Sequence, residues 1–485
     1  MMRIGMVVFV FYLIIMILVG LIAARYQKST AHFWVANRSF GPIILAIAIV
    51  ASIMHGGTML GGTGQMTKMG ATVLNNLSFA LGFMVVLFFM AKKLRRFGGY
   101  TLPDFLGERF ESNGFRGFAA FVILVTATVS LIAQTKSMGI VMQQISGLSL
   151  QSSMIIATAI FVFYTVIGGM MAAVWNDIIQ WLLMMIGVIV LAIGLIPHVG
   201  GLSEAVITAE KVAPGWSSLM GIGWTPMAFW SWHFVWFIAY FTRIEFVTKI
   251  YTAKDERAAM LGTALGLVLL LIFISFTIYF SAAARVLIWD GHTSPDQLLP
   301  IMMNKYLSPF WAAISLAGIA AAAMSTVSSL LLLSGAAISH DLLRKGYHEP
   351  RGIIKDEKYY LFVSRVILLI VGVIAMLAAF RTPTLVLTIV SYAVALSGAA
   401  FAMPMVLGLT WKRTSNSGAF ISSVGGFLGS AFWAIATELG FKWAKAMHPI
   451  IPGFIISLIL IIVLSYILPS TSSTTLDRFF PKKEA

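Results

Sequence analysis

Long runs of apolar residues, each about the length that crosses a bilayer, recur along the chain and limit its fold more than any other feature. The first run covers residues 5–24 and the last covers residues 450–468. A membrane-spanning helix needs about 20 apolar residues, and within lipid only helices and closed barrels satisfy the backbone. With 59% hydrophobic and 11% charged residues, the sequence predicts an all-α polytopic membrane protein with about 13 transmembrane helices. We expect a single transmembrane domain over residues 1–485.

The basic residues indicate how the chain is oriented. The net charge is +15, and Lys and Arg are concentrated in every second loop, as is typical of cytoplasmic loops. These loops include Arg25, Lys28 and Arg38; Arg243, Lys249, Lys254 and Arg257; and Arg478, Lys482 and Lys483. The pattern predicts a multi-pass protein of the plasma membrane, with its N-terminus outside and its C-terminus cytoplasmic. It favours a lipid bilayer over nucleic acid as the partner of this charge, and we expect a monomer.

One apolar stretch, residues 312–343, carries hydroxyl groups at its centre. The small residues Ala320 to Ala323 come first, and Ser325, Thr326, Ser328 and Ser329 follow. Small residues let another helix approach closely, and several oxygens together suit a hard cation. The alternative is that these hydroxyls only bond to carbonyls one turn earlier on their own helix.

The second span, about residues 43–66, is interrupted by glycine. Gly56 and Gly57 open the segment HGGTMLGGTGQM, and each glycine in a helix costs up to about 1 kcal/mol relative to alanine. Broken backbone at membrane depth is tolerated where it lines a cavity or is buried in protein. The sequence therefore predicts a broken helix beside a binding site, and a glycine-rich packing face is the alternative.

Two charged residues lie within or next to predicted spans. Lys136 is midway along residues 117–146, two positions after Gln134. An intramembrane charge suggests function, but a long lysine side chain can also reach the interface. Asp177 begins the sixth span, where the helix dipole alone would favour a carboxylate.

The seventh span is aromatic, with the sequence FWSWHFVWFIAYF over residues 229–241. Trp236 and Tyr240 are four positions apart and therefore share a helix face. They are candidates for the wall of a binding site, and an interfacial belt formed by Trp230, Trp232, Trp236 and Tyr240 is the alternative. His233 has no neighbouring His or Cys and is expected to pack or hydrogen-bond rather than bind a metal.

Five strings resemble the sodium:solute symporter family in order and spacing. They are FWVANRSFG, YTLPDFLGERF, YTVIGGMMAAVWNDIIQ, AAAAMSTVSSLLLLSGAAISHDL and PMVLGLTWKRTSNSGA. The resemblance implies a LeuT-like core of two inverted five-helix repeats, residues 41–196 and 225–410. An extra helix over residues 5–25 would precede this core, and two extra helices over residues 417–468 would follow it.

The resemblance also implies a sodium site between the second and ninth helices. On the family pattern Na⁺ would be held by the carbonyls of Ala51, Met54 and Ala322 and by the hydroxyls of Ser325 and Thr326. A helix that breaks at Gly56 leaves carbonyls free at positions 51–54, in agreement with this assignment.

A second sodium site is a further hypothesis, drawn from the family's sialic-acid branch. Its ligands here would be Asp177, Ser325, Ser328 and Ser329. In other members the same Asp matters without a demonstrated second ion, so one-sodium and two-sodium coupling both stay open.

The predicted solute is a small organic anion or an amino acid. Trp236 and Tyr240 match the Trp-x-x-x-Tyr-Phe pattern of the proline-transporting branch, but Ile53 stands where that branch has an acidic residue. His55 and Lys136 favour a carboxylate, and the few amide or acidic side chains argue against a sugar. The predicted substrate residues are His55, Gly56, Thr58, Gln134, Lys136, Trp236 and Tyr240.

Together these features predict a sodium-coupled symporter that imports its solute by alternating access, and not an enzyme. A proton-coupled symporter and a non-transporting sensor of the same fold are the alternatives. A channel would need a symmetric filter, which the sequence does not show. His55, Asp177 and His233 lie on separate segments without the spacing of a metalloprotease motif.

Overall fold

The structure is a computed structural model that describes residues 2–25, 34–70, 73–382 and 385–480. Lys28, Lys482 and Lys483, which supported the predicted orientation, lie outside the described residues, as does Phe33 at the start of the first family string. In the described ranges the regular elements are helices, and the backbone pairing outside them amounts to two isolated bridges, Phe40 with Ala253 and Ser415 with Ser470. The all-α prediction is confirmed.

Eighteen helices, named here in chain order, lie within the described residues. They are α1 (Met2–Ala24), α2 (Pro42–Ile53), α3 (Gly57–Met69), α4 (Val73–Val85, continuing through Val86–Met90 and Ala91–Phe97), α5 (Leu102–Arg109), α6 (Asn113–Ser146), α7 (Leu150–Val199), α8 (Leu202–Val212), α9 (Pro226–Thr242), α10 (Ile244–Tyr251), α11 (Glu256–Leu287), α12 (Leu298–Tyr306), α13 (Pro309–Ala336, continuing through Ala337–His348), α14 (Glu357–Ala379), α15 (Val386–Thr410), α16 (Asn416–Glu438), α17 (Ile450–Ile467) and α18 (Ser473–Phe479).

The number of membrane-crossing helices differs from the prediction. Among the described residues, 10 helices are long and apolar enough to cross a membrane, or 11 when the bent pair α2 and α3 counts as one span. The predicted number of about 13 is not confirmed by this count. Two elements explain the difference. The predicted spans 152–170 and 174–196 both lie in α7, which counts once although its helical backbone is broken at Gly169 (φ 57°, ψ −162°), and the aromatic α9 has only 17 residues.

The second span is broken as predicted. Helix α2 ends at Ile53, Met54 leaves the helical conformation with ψ 81°, and α3 continues at 60° to α2. The glycines of this segment also pack closely. A Cβ on Gly56 would lie 2.4 Å from Cβ of Ser137, and one on Gly64 would lie 2.4 Å from the carbonyl oxygen of Pro295. The break and the packing face are therefore both present.

A second break separates α9 from α10. Arg243, between them, has extended backbone (φ −67°, ψ 122°), and α10 then packs against α2 and α13. The boundaries of the two inverted repeats, 41–196 and 225–410, and of the extra helices, 5–25 and 417–468, stay predictions.

Helix α13 lies at the centre of the molecule. Every residue from Ser315 to Ala337 is buried, and α13 packs against α1, α2, α6, α7 and α14. Outer helices instead expose large apolar side chains, such as Phe362 on α14 (66% exposed) and Ile467 at the end of α17 (70%). A helix that is apolar all round and enclosed by others places its central hydroxyls inside protein, away from lipid.

Candidate functional site

The end of α2 meets the hydroxyls of α13. Ser325 Oγ lies 2.7 Å from the carbonyl oxygen of Ala51 and 3.0 Å from that of Ala322, and it donates toward them. Thr326 Oγ1 donates to the carbonyl oxygen of Ser52 at 3.0 Å. The Ala51 and Ser52 carbonyls belong to the last turn of α2, where the continuing helix would otherwise supply donors. The break in α2 and the hydroxyls of α13 therefore form one structure.

The structure brings together Ala51, Ala322 and Ser325 from the predicted sodium site. Thr326 contacts Ser52 instead, which the sequence prediction did not include. Met54 is buried at the residue where α2 ends, with its N–H bonded to the carbonyl oxygen of Val50. The backbone therefore leaves the helix at Met54, the residue whose free carbonyl the prediction assigns to the sodium site.

The chemistry of these groups fits a hard cation. The donor atoms are oxygens, either hydroxyl or carbonyl, and they lie at the C-terminal end of α2, which carries the negative end of the helix dipole. Half-helix ends and unwound carbonyls are the usual cation ligands in transporters with broken helices. The site can therefore take Na⁺ through Ala51, Ser52, Ala322, Ser325 and Thr326.

The other side of the break is held by polar side chains. Gln134 Oε1 accepts from the N–H of Gly56 at 3.2 Å. His55 is fully buried, and its ring nitrogens lie 3.2 Å from the N–H nitrogen of Thr58 and 3.4 Å from its hydroxyl. The predicted substrate residues His55, Gly56 and Gln134 thus brace the broken backbone.

A cavity lies beside the break, between α3, α4, α9 and α11. Its lining residues are Thr58, Gly62, Gln65, Met66, Met69, Gly70, Phe79, Trp224, Phe229, Trp232, His233, Trp236, Tyr240, Ile274, Thr277 and Leu387. Three of the predicted substrate residues, Thr58, Trp236 and Tyr240, line this cavity, and the other four do not.

Aromatic rings form the cavity wall. The ring of Phe79 packs edge-on against Trp236 at 5.9 Å and Tyr240 at 5.1 Å, and Trp232 packs against Trp236 at 5.7 Å. Trp230, by contrast, is 54% exposed on the outside of the same helix. Trp230 and the cavity wall thus lie on different faces of α9.

His233 packs and hydrogen-bonds beside the cavity. Its ring lies 4.4 Å from that of Phe229, and Nδ1 is 3.3 Å from Ser78 Oγ. Because Ser78 precedes Phe79, this contact fixes α9 against α4 beside the cavity.

Lys136 points away from the cavity. Its ammonium donates to the carbonyl oxygen of Thr382 at 3.3 Å and interacts with the charge of Asp296. Asp296 in turn accepts from the N–H of Val386 at 3.1 Å, and burial raises the pKa of this carboxyl above its ordinary value. This placement connects Lys136 to the segment before α15 and does not support direct contact with a solute.

Asp177 forms a buried ion pair that the sequence did not reveal. Lys249 Nζ lies 2.6 Å from Asp177 Oδ2, and both side chains are completely buried. Lys249, grouped by sequence with a basic cytoplasmic loop, lies on α10 inside the protein. The two residues are 72 positions apart, so no local pattern could join them.

The hydroxyls predicted for a second sodium site lie on α13 near this ion pair. Ser328 Oγ is 2.5 Å from the hydroxyl of Tyr164, which interacts electrostatically with Asp177. Ser329 Oγ and Asp177 Oδ1 are buried without a hydrogen-bond partner among the described residues.

A second buried polar cluster joins α5 to the end of α13. His340 Nε2 lies 3.0 Å from Asp104 Oδ2, and Thr101 Oγ1 donates to Asp341 Oδ1 at 2.8 Å. Burial alone would raise the pKa of Asp104, but its hydrogen bond with His340 and the nearby charges lower this pKa below its ordinary value. The contact explains why two of the family strings, YTLPDFLGERF and the one ending in SHDL, occur together, since they meet in space.

A broken helix with oxygen ligands at its end, facing a central helix beside an aromatic cavity, defines a secondary transporter of the LeuT-like class. Solved structures with the same fold include an outward-open Na⁺-coupled sialic acid symporter (TM-score 0.82, 17% identity, 97% of this chain and 98% of that one). The nucleobase-cation-symport transporter Mhp1 in a closed conformation is also similar (TM-score 0.57, 17% identity, 93% and 99%).

The chain belongs to the sodium:solute symporter family, whose profile matches residues 33–426. It is 27% identical to the osmoregulated proline transporter OpuE of Bacillus subtilis (94% of this chain, 93% of the relative). It is 29% identical to the sodium/pantothenate symporter of Escherichia coli (93% and 94%) and 27% identical to the sodium/proline symporter of that species (98% and 95%). The family resemblance is confirmed. The chain is a multi-pass membrane protein that couples Na⁺ to transport of a small organic solute.

Proposed function

We propose that this symporter imports a compact zwitterionic amino acid, of the size and shape of proline, together with Na⁺. The observation that carries the proposal is the contact of Ser325 and Thr326 with the last carbonyls of α2, at 2.7 and 3.0 Å, beside the aromatic cavity. The ion site lies on one side of the break between α2 and α3, and the solute site lies on the other. The two sites are coupled directly, because both depend on the position of the backbone at this break.

Sodium binding would strengthen the contact between α2 and α13. The hydroxyl hydrogens of Ser325 and Thr326 now point to carbonyls; with an ion present they turn away, and the hydroxyl and carbonyl oxygens all face the cation. An ion that binds one arrangement of α2 and α13 more tightly than another shifts the population toward that arrangement. Closure over the solute then follows, and movement of α13 away from α2 releases both to the cytoplasm.

The cavity lining favours a solute without net charge. Its described lining residues include no Lys, Arg, Asp or Glu, and its wall is aromatic. A zwitterion with an apolar ring buries that ring against Trp236 and Tyr240, while its charged ends meet Gln65, Thr58 and the backbone at the start of α3, where the helix dipole favours a carboxylate.

A monocarboxylate is the second candidate. It is favoured by the similarity to the sodium/pantothenate symporter, at 29% identity over 93% of this chain. A monocarboxylate carries an acidic group as an amino acid does, so the start of α3 suits both. The two candidates differ in whether a cationic group must be accommodated among the aromatic rings.

We further propose a monomer in the plasma membrane with its N-terminus outside and its C-terminus cytoplasmic, acting in transport without catalysis. The uneven distribution of Lys and Arg between alternate loops supports this orientation. Among described residues, Lys92, Lys93, Arg95 and Arg96 would then lie on the cytoplasmic side.

Uptake into proteoliposomes tests the function. The purified chain is given labelled proline, pantothenate, lactate or acetate, with an inward gradient of sodium or of N-methylglucamine. We expect proline to accumulate above its external concentration with sodium only. Accumulation driven by a proton gradient without sodium would favour the proton-coupled alternative, and sodium-dependent binding without uptake would indicate a sensor. Transport of a neutral sugar alone would contradict the proposal.

A further inference from the structure

We infer that Lys249 occupies the position of a second coupling cation, so that this symporter takes one sodium ion per cycle and not two. The inference deepens the proposed function and rests on the first sodium site. It concerns Asp177, which the two-sodium hypothesis needs as a ligand.

The geometry of the pair carries the inference. Lys249 Nζ is 2.6 Å from Asp177 Oδ2, and neither side chain has any exposed surface. This distance is at the short end for a charge-assisted hydrogen bond. The ammonium thus contacts Oδ2 directly and supplies the positive charge that a sodium ion ligated by Asp177 would otherwise supply.

The position of Lys249 in the fold makes the pair a fixed feature. Lys249 is in the second turn of α10, the short helix after the break at Arg243. Helix α10 packs against α2 and α13, the two helices of the first sodium site. The lysine is therefore delivered from one broken helix to a carboxylate on α7, next to the hydroxyls of α13.

Charge balance decides against an additional ion. Asp177 and Lys249 together are neutral, so a sodium ion added beside them would leave a net positive charge in a completely buried site. An uncompensated buried charge costs several kcal/mol. Without the ammonium, the same carboxylate would instead be left with a net negative charge.

The first sodium site does not need a carboxylate. It lies at the C-terminal end of α2, where the helix dipole supplies about half a negative charge, and its carbonyl ligands are already freed by the break. The site around Asp177 is different, because α7 continues through Asp177 without a helix end. Its negative charge comes from Asp177, and Lys249 neutralises it.

Removal of the Lys249 ammonium would leave the Asp177 carboxylate as a buried charge in a protein interior where other polar atoms also lack partners within the described residues. Asp177 Oδ1, Ser329 Oγ and Gln180 Oε1 are buried without a hydrogen-bond partner among the residues the structure covers. Replacing Lys249 by Met keeps most of the side-chain volume and removes the charge. The variant then has a buried carboxylate without its cationic partner, which would attract a sodium ion.

Equilibrium binding of radioactive sodium to the purified full chain in nanodiscs tests the inference without a known solute. We expect one sodium ion per unaltered chain and two per chain for Lys249→Met. The double variant Asp177→Asn/Lys249→Met, which removes both charges, should return to one. Lys249→Arg keeps the charge and should also bind one.

Two sodium ions on the unaltered chain would overturn the inference and leave the proposed symport intact, whereas no sodium on it would refute the symport proposal itself. A folded Lys249→Met that still binds one ion would also overturn the inference. If Lys249→Met does not fold, sodium binding to the Thr326→Val variant provides the test. This variant should bind its single sodium ion more weakly than the unaltered chain, and an ion bound with unchanged affinity would mean that sodium occupies a different site.

Discussion

The imidazole of His340 lies 3.0 Å from the carboxylate of Asp104, although the two residues are 236 positions apart. The contact holds the short helix α5 against the end of α13. Trp34 and Tyr100 pack on the same imidazole, with ring centroids 5.0 and 5.3 Å away. The end of the central helix that lies far from the sodium site is therefore fixed by a buried polar cluster.

Asp104→Asn should destabilise the protein at neutral pH by about 3–5 kcal/mol, as expected when one partner of a buried ion pair is removed. The pKa of Asp104 is lowered in the folded protein, below its ordinary value of 3.8. Its contribution to stability is therefore complete above the ordinary pKa and is lost only as the pH falls through the lowered value. Thermal unfolding at pH 7 and at pH 5.5 should show the same loss in the variant. A loss that vanished by pH 5.5 would contradict the assignment.

Thr326→Val should raise the sodium concentration that gives half-maximal uptake. The change keeps the side-chain shape and removes one oxygen ligand. Loss of a polar partner in a buried site costs about 1–3 kcal/mol, which corresponds to roughly 5- to 150-fold in affinity. Ser334→Ala is the matched control, since Ser334 is buried on the same helix and bonds only to Leu330 within its own helix. Equal effects of the two variants would refute a role for Thr326 in ion binding.

Gly56→Ala should impair folding or stability, because the new Cβ would lie 2.4 Å from Cβ of Ser137. Adding Ser137→Gly to this variant removes the clash and should restore much of the thermal stability. Gly62→Ala serves as the control, since its nearest contact would be Thr277 Cγ2 at 3.8 Å. Failure of Ser137→Gly to improve the Gly56→Ala variant would show that the backbone at the break, and not close packing, requires glycine.

Trp236→Ala should raise the KM for the solute by at least about tenfold, because it removes a large part of the aromatic wall. Trp230→Ala, on the exposed face of α9, should leave KM nearly unchanged. Uptake kinetics in proteoliposomes provide the comparison. If the two substitutions change KM equally, the cavity does not hold the solute.

The sequence predicted the features that depend on local composition. Glycines marked the break after α2, hydroxyls marked the centre of α13, and the spacing of Trp236 and Tyr240 marked one face of α9. Each signal lies within one or two helical turns, so it could be recognised without knowing how the helices pack.

The features that sequence reasoning missed depend on distant residues. Lys249 looked like a loop lysine because its partner Asp177 is on another helix. Lys136 looked like a solute ligand because its depth was visible in the sequence, but its direction toward Thr382 was not. Ser52 was overlooked beside Ala51, since the angle at which α13 crosses α2 decides which carbonyl each hydroxyl meets. The count of about 13 spans is not confirmed, because α7, although broken at Gly169, counts once and α9 is too short to count.

The enclosure of α13 affects how the membrane can influence transport. Because residues 315–337 contact only protein, bilayer thickness and lipid type cannot act on the ion-binding helix directly. They act on outer helices such as α14 and α17, whose apolar faces meet the acyl chains. Changing the lipid should therefore alter the rate at which the transporter changes shape, while its intrinsic preference for sodium over other alkali ions stays the same.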